Sequence, residues 1–231
     1  MLVLGFADYE QQAARLAHCL GVECREVVVH RFPDGESKIV VPTALPAHIV
    51  LCRSFDKPND KLIELLLTVQ VARQQGAQRI TLVAPYLCYM RQDIAFQPGE
   101  AVSQRIIGQF LARLVDDLIT VDPHLHRIDR LEQAVPIAHA VTLSAATALA
   151  DFLPTRWSNP LLLGPDSESE QWVQAIALRH GWQYGVASKQ RLGDREVRII
   201  VPDLDYRGRD IVLIDDMAST GHTLSAAARQ V

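Results

Sequence analysis

The sequence predicts an α/β protein of two tandem units, each with a largely parallel sheet flanked by helices. Three observations predict it. Short apolar runs recur before amphipathic stretches through the first half of the 231 residues. The same alternation starts again in the second half, and the run IVLI (211–214) leads through a short stretch of small and polar residues into good helix formers. A strand of β-branched residues followed by a helical repeat of apolar positions is the pattern of βα units.

In chain order, LVLGF (2–6) precedes the amphipathic DYEQQAARLAHCL. The turn RFPDGES (31–37) marks a hairpin, since Pro-Asp-Gly favours a tight reversal. HIVLC (48–52) precedes NDKLIELLLTVQVARQQG, and ITLVAP (80–85) precedes PGEAVSQRIIGQFLARLV. AVPIAHA and SAATALADFLP read as the bridge between the series, with the boundary near 140–145, giving units 1–142 and 143–231. The second series runs LITV (118–121), LLLGP then SESEQWVQAIALRHG, QYGVASK, and IVLIDD then TLSAAARQV. No Gly/Ser linker, low-complexity tract or short-period repeat interrupts it.

Composition narrows the function classes. The formal net charge is −4 with no basic run, so the chain carries no electrostatic footprint for sequence-independent nucleic-acid binding. No apolar stretch reaches the roughly 18 to 20 residues that span a bilayer, and the opening MLVLG lacks a signal-peptide pattern, which predicts a cytoplasmic protein without a membrane partner. Cys19, Cys24, Cys52 and Cys88 lack CxxC spacing and read as free structural thiols.

Chemistry concentrates at strand ends. VLIDDMASTGHT (212–223) delivers Asp215 and Asp216 into a stretch with Ser219, Thr220, Gly221 and Thr223. Unpaired N–H groups at a helix start and neighbouring hydroxyls suit a phosphate monoester, while the carboxylates suit sugar hydroxyls or a hydrated Mg²⁺. PYLCYMRQD (85–93) presents Arg91, Gln92 and Asp93; Arg forks onto phosphate or stacks on a base, and Gln reads an adenine edge. VDPHLHRID (121–129) sets His124 and His126 two apart, without further ligands that would make a zinc site. Read bare, this is a pair of surface histidines. LLLGPDSES (161–169) ends in Gly-Pro-Asp166 and also reads as a plain helix cap. ASKQRLGDREV (187–197) carries Lys189 and Arg191 on what reads as a mobile basic loop.

Residues 215–223 resemble the phosphoribosyl-pyrophosphate-binding motif of the type I phosphoribosyltransferase fold. That leaves open the phosphoribosyltransferases and the ribose-phosphate pyrophosphokinases. RFPDGES, RQD, the Asp-x-His of 122–124, Gly-Pro-Asp and Lys-x-Arg, in that order, are similar to the pyrophosphokinase family, and the stretch after Arg191 resembles its archaeal-type branch. The resemblance implies two tandem phosphoribosyltransferase-like domains. Phe32, Asp34 and Glu36 then contact ATP on a neighbouring subunit, so that a homo-oligomer, at least a dimer, shares the ATP site. Arg91, Gln92, Asp93 and His124 contact ATP, His124 and Asp166 hold Mg²⁺, and Lys189 and Arg191 are catalytic. Asp215, Asp216, Ser219, Thr220, Gly221 and Thr223 bind ribose 5-phosphate.

The implied reaction moves the β,γ-diphosphoryl group of ATP to O1 of ribose 5-phosphate, releasing AMP. The alternatives are a phosphoribosyltransferase or a catalytically silent regulatory homologue. Two departures stand out. Ile94 and Ala95 replace basic residues that many members carry, which bears on regulation by phosphate or ADP. Family members also continue past the position of Val231, which implies an incomplete second unit.

Overall fold

LVLGF forms β1 (Leu2–Phe6), buried along its whole length because it is the inner strand of a parallel sheet. The computed structural model describes residues 1–191, 197–218 and 220–231. By its internal contacts the chain divides into Met1–Leu143 and Ser144–Val231.

In the first unit β1 leads to α1 (Glu10–Leu20), which ends on Gly21 in the left-handed conformation that stops helices. Next come β2 (Cys24–Arg31), β3 (Ser37–Val40), β4 (His48–Cys52), α2 (Pro58–Gln74) and β5 (Arg79–Ala84). The unit closes with α3 (Ser103–Leu114), β6 (Asp117–Val121), α4 (Leu131–Ala134) and β7 (His139–Leu143). The sheet order is β3-β2-β1-β4-β5-β6-β7, parallel throughout except for the β2–β3 hairpin at its edge. The chain moves from β1 to β2 on one side and then returns to β4 on the other. The connection direction therefore reverses between β1 and β4, where open α/β sheets form a crevice at their carboxyl edge.

Burial follows the helical period. Leu62, Leu65, Val69 and Ala72 of α2 lie in one core with Leu4, Leu51, Ile80 and Leu82 of the strands. α3 starts at Ser103, later than the predicted stretch from Pro98. It docks so closely on α4 that a Cβ at Gly108 would lie 1.8 Å from the Ala134 carbonyl oxygen.

The expected bridge divides. Its first half runs from the last residue of α4 into the edge strand β7, parallel to β6, whereas its second half forms α5 (Ala146–Phe152) in the second unit. The short run HAVTL, with only five residues and exposed on most of them, gives too little alternation to announce a strand; its pairing with β6 decides.

The second unit continues with β8 (Leu161–Gly164), α6 (Glu170–His180), β9 (Tyr184–Val186), β10 (Ser188–Arg191), β11 (Val197–Ile200), β12 (Ile211–Leu213) and α7 (His222–Ala228). Its three-stranded sheet is ordered β12-β8-β9 and parallel, and β10 pairs antiparallel with β11. Ala146, Ala150 and Leu153 share a core with Val173, Ile176 and Ala177 of α6. The direction of connection reverses again, here between β8 and β12. Among the described residues no helix is long and apolar enough to cross a membrane.

Candidate active site

In the second unit the carboxyl edge of β8 and β12 brings three predicted residues together. The strands run in register, Leu163 beside Leu213, so the segments leaving them start side by side. Asp166 follows β8 by two residues and is 9% exposed; Asp215 and Asp216 follow β12.

Asp166 is held from both directions. Its Oδ1 accepts the Glu168 N–H at 3.1 Å, and its carbonyl accepts the Ser169 hydroxyl at 2.6 Å. Gly164 makes the tight return possible, because a Cβ there would sit 2.3 Å from Ser169 Oγ. Asp215 Oδ1 accepts the Asp216 N–H at 3.1 Å. Burial, the charge of Asp216 and the charge of Asp166 push the Asp215 carboxyl up to about 6. Carboxylates that repel one another in this way form an oxygen-donor set suited to a hard cation such as Mg²⁺ or to sugar hydroxyls.

The remaining residues of that motif extend from the acidic pair. Thr220 Oγ1 accepts the His222 N–H at 3.4 Å, Gly221 sits at φ 72 before α7, and Thr223 lies in the first turn of α7. Ser219 lies outside the described residues. Lys189 and Arg191 were expected on a loop. Their backbone instead belongs to strand β10, with Lys189 opposite Ile199 and Arg191 opposite Val197, because the polar run SKQR finds a β-branched partner, VRII, to pair with. The continuation 192–196 lies outside the described residues.

In the first unit the segments after β5 and β6 meet. Arg127 donates to Asp93 Oδ1 at 2.6 Å, joining RQD to the histidine segment. Asp93 is 6% exposed, and its Oδ2 is buried with no hydrogen-bond partner among the described residues. Burial pushes the Asp93 carboxyl up, but the hydrogen bond and charge of Arg127 outweigh it and hold the group below the usual carboxylate range. Asp93 is thus buried and turned to Arg127, whereas Arg91 is exposed and Gln92 half-buried.

The start of α3 fixes the same segment. Gln104 donates its backbone N–H to the Gln92 carbonyl at 3.1 Å and its side-chain amide to the Met90 carbonyl at 3.1 Å. The His124 and His126 rings pack edge to face with centroids 3.9 Å apart. Both segments carry a non-glycine residue at positive φ, Tyr89 at 60° and Asp122 at 39°. Such backbone persists where surrounding contacts over-determine it.

RFPDGES lies elsewhere on the same sheet. Phe32 and Glu36 close the β2–β3 turn through Phe32 N–H to Glu36 carbonyl at 2.8 Å, with Gly35 at φ 94, and Asp34 Oδ1 accepts the Glu36 N–H at 3.1 Å. Phe32, Asp34 and Glu36 are all exposed. Strands β1 and β4 separate β2 from β5, so within one unit the turn and the Arg91 segment are not neighbours. The sequence reading missed Arg127. Its signal was a cation placed directly after HLH, which becomes informative only once β5 and β6 are known to be adjacent.

Comparison with known proteins agrees across both units. A family model described as the N-terminal domain of ribose phosphate pyrophosphokinase matches residues 1–114, and a phosphoribosyl transferase domain model matches residues 128–231. The chain is 37% identical to a ribose-phosphate pyrophosphokinase of Methanopyrus kandleri, over 99% of this chain and 78% of that protein. It is 33% identical to one of Saccharolobus solfataricus, over 99% and 79%. A crystal structure of phosphoribosylpyrophosphate synthetase from Mycobacterium smegmatis shares the fold, with a TM-score of 0.78 at 22% identity, covering 99% of this chain and 76% of that one. Matched from its first strand to its last helix, the chain belongs to the ribose-phosphate pyrophosphokinase family.

Proposed function

We propose that the chain transfers the β,γ-diphosphoryl group of ATP to O1 of ribose 5-phosphate, giving 5-phosphoribosyl 1-pyrophosphate and AMP. The observation that carries this reading is the convergence of Asp166 with Asp215 and Asp216 at the β8/β12 edge, in a chain whose first unit matches the pyrophosphokinase N-terminal domain.

Asp215 and Asp216 accept hydrogen bonds from the ribose hydroxyls, and Ser219, Thr220, Gly221 and Thr223 hold the 5-phosphate. Lys189 and Arg191 neutralise charge that develops on the transferred group and on departing AMP, where preorganised cations lower the barrier most. Arg91, Gln92 and His124 contact ATP; Asp93 acts behind them by fixing Arg127. Mg²⁺ supplies charge neutralisation on the polyphosphate, with Asp166 and His124 as candidate ligands, each in its own unit. The carboxylate set around Asp166 fits Mg²⁺ by ligand type, whereas imidazole is the less usual ligand for so hard a cation.

The distance along the sheet between the β2–β3 turn and the Arg91 segment supports a shared arrangement. In it Phe32, Asp34 and Glu36 complete the ATP site of a second subunit in a homo-oligomer. Four free cysteines, two of them buried, fit the reducing cytoplasm as the working compartment.

Incubation with MgATP and ribose 5-phosphate, without any nitrogenous base, tests the reaction. AMP and phosphoribosyl pyrophosphate are expected, and only when ribose 5-phosphate is present. Formation of ADP and ribose bisphosphate as sole products would overturn the reading.

A further inference from the structure

We propose that the first unit carries a second small-molecule site, at the carboxyl edge of β1, β2 and β4, that takes a phosphorylated sugar. A cavity of about 410 Å³ opens there, within the size range of small-ligand pockets. Its location follows from topology: the order β2-β1-β4 makes β1/β4 the point where the connections reverse. None of its lining side chains is among those assigned above to the reaction.

The walls are built from charge. Arg53 follows β4 directly, is 6% exposed and lies over the Phe6 ring, 4.2 Å from its centroid. It donates to Glu64, 1% exposed, at 2.6 Å, and to Asp8 at 3.0 Å. Lys61 pairs with Asp8 at 2.8 Å, and Arg31 reaches across from β2 to Asp60 at 2.9 Å and Glu64 at 3.2 Å. These pairs line the cavity and leave its volume open. Lys57, at φ 50 at the head of α2, is the lining cation in no ion pair among the described residues.

The wall chemistry selects the occupant. An apolar ligand would strip water from Lys57, Asp60 and Arg31 without replacing it. A polyanion would face Asp8, Asp60 and Glu64. A neutral sugar would leave Lys57 without a counter-charge. One phosphate group matches Lys57 and the outer face of the half-exposed Arg31, while sugar hydroxyls donate to Asp8 and Asp60, whose carboxylates are partly exposed.

The test is amide chemical-shift mapping by NMR on the whole chain, titrated separately with ribose 5-phosphate, inorganic phosphate and ribose. Ribose 5-phosphate is expected to shift the amides of 7–8, 31 and 53–61 saturably, with inorganic phosphate binding more weakly and ribose not at all. Lys57→Asn removes the charge while keeping a residue that tolerates left-handed backbone. It should weaken this binding roughly tenfold, as loss of one charge-assisted contact does, and leave shifts at 215–223 unchanged. Asp60→Asn should bring ribose 5-phosphate closer to inorganic phosphate in affinity. The proposal is overturned if shifts are confined to the second unit, if Lys57→Asn binds as tightly as the parent, or if inorganic phosphate binds as well as ribose 5-phosphate. Because the readout is binding and not turnover, failure of the assigned reaction leaves this test intact.

Discussion

Asp8 and Asp166 hold the same station in the two units, each two residues past an inner strand, β1 or β8, where the direction of connection reverses. Their surroundings are opposite. Burial pushes the Asp8 carboxyl up, but Lys61 and Arg53 outweigh it and hold the group below the usual range. Asp166 instead faces further carboxylates, and Asp215 beside it rises to about 6. One backbone design thus yields an edge whose acid is paired with two cations in the first unit and an edge where carboxylates gather and raise one another in the second. Matched pairs stabilise a fold, whereas repelling groups hold free energy that a bound cation or hydroxyl ligand can release.

Substitutions at these stations separate the two regimes. The largest effect is expected for Glu64→Ala, which strips the buried Arg53 of its fully buried partner and leaves it only the partly exposed Asp8. Loss of one member of a buried pair costs about 3–5 kcal/mol, read as a lower denaturation midpoint for the first unit. Next, Asp8→Ala should destabilise by about 1–2 kcal/mol, since its charge-assisted contacts are partly exposed. Asp166→Ala should destabilise by less than about 1 kcal/mol, because loss of its cap to Glu168 is offset by relief of repulsion. The same substitution should lower the Asp215 pKa, seen by carboxyl ¹³C titration. Equal destabilisation by the two substitutions, with an unmoved Asp215, would erase the contrast.

A further difference lies in pH dependence. Asp215 titrates at about 6 in the folded chain against an ordinary value of 3.8, so folding takes up proton between those values. Its contribution to stability is therefore full below about pH 4 and is lost as pH rises to about 6, with no further change above. Asp215→Asn should remove that step and slightly raise the unfolding midpoint at pH 7, measured without Mg²⁺. A step that persists in Asp215→Asn would assign the titration to another group.

The alternation of apolar runs and amphipathic stretches made most of both sheets legible, because inner parallel strands such as LVLGF and LLLG are apolar on both faces. HAVTL, exposed on most of its residues, and the polar run SKQR were hidden for a physical reason: they become strands only through their neighbours β6 and β11. The acidic pair at 215–216 was readable because adjacent carboxylates after an apolar run have no packing role there. Arg53 and Glu64 were not read, although a lone acid inside LIELLL was a signal that something charged must meet it in the core. The partner lies on another element, and that adjacency is set by topology.

Gly108 gives the first unit a mechanical property. With α3 seated on the backbone of α4, and the start of α3 bonded to Gln92 and Met90, the helix acts as a rigid strut between the segment after β5 and the one that ends in α4. Arg127 and Asp93 tie the same two segments directly, so the linkage is braced at two points. A displacement at Gln92 is then passed to the His124 segment without slack. Even one added methyl at position 108 would wedge the strut off its seat and let the two ends move independently.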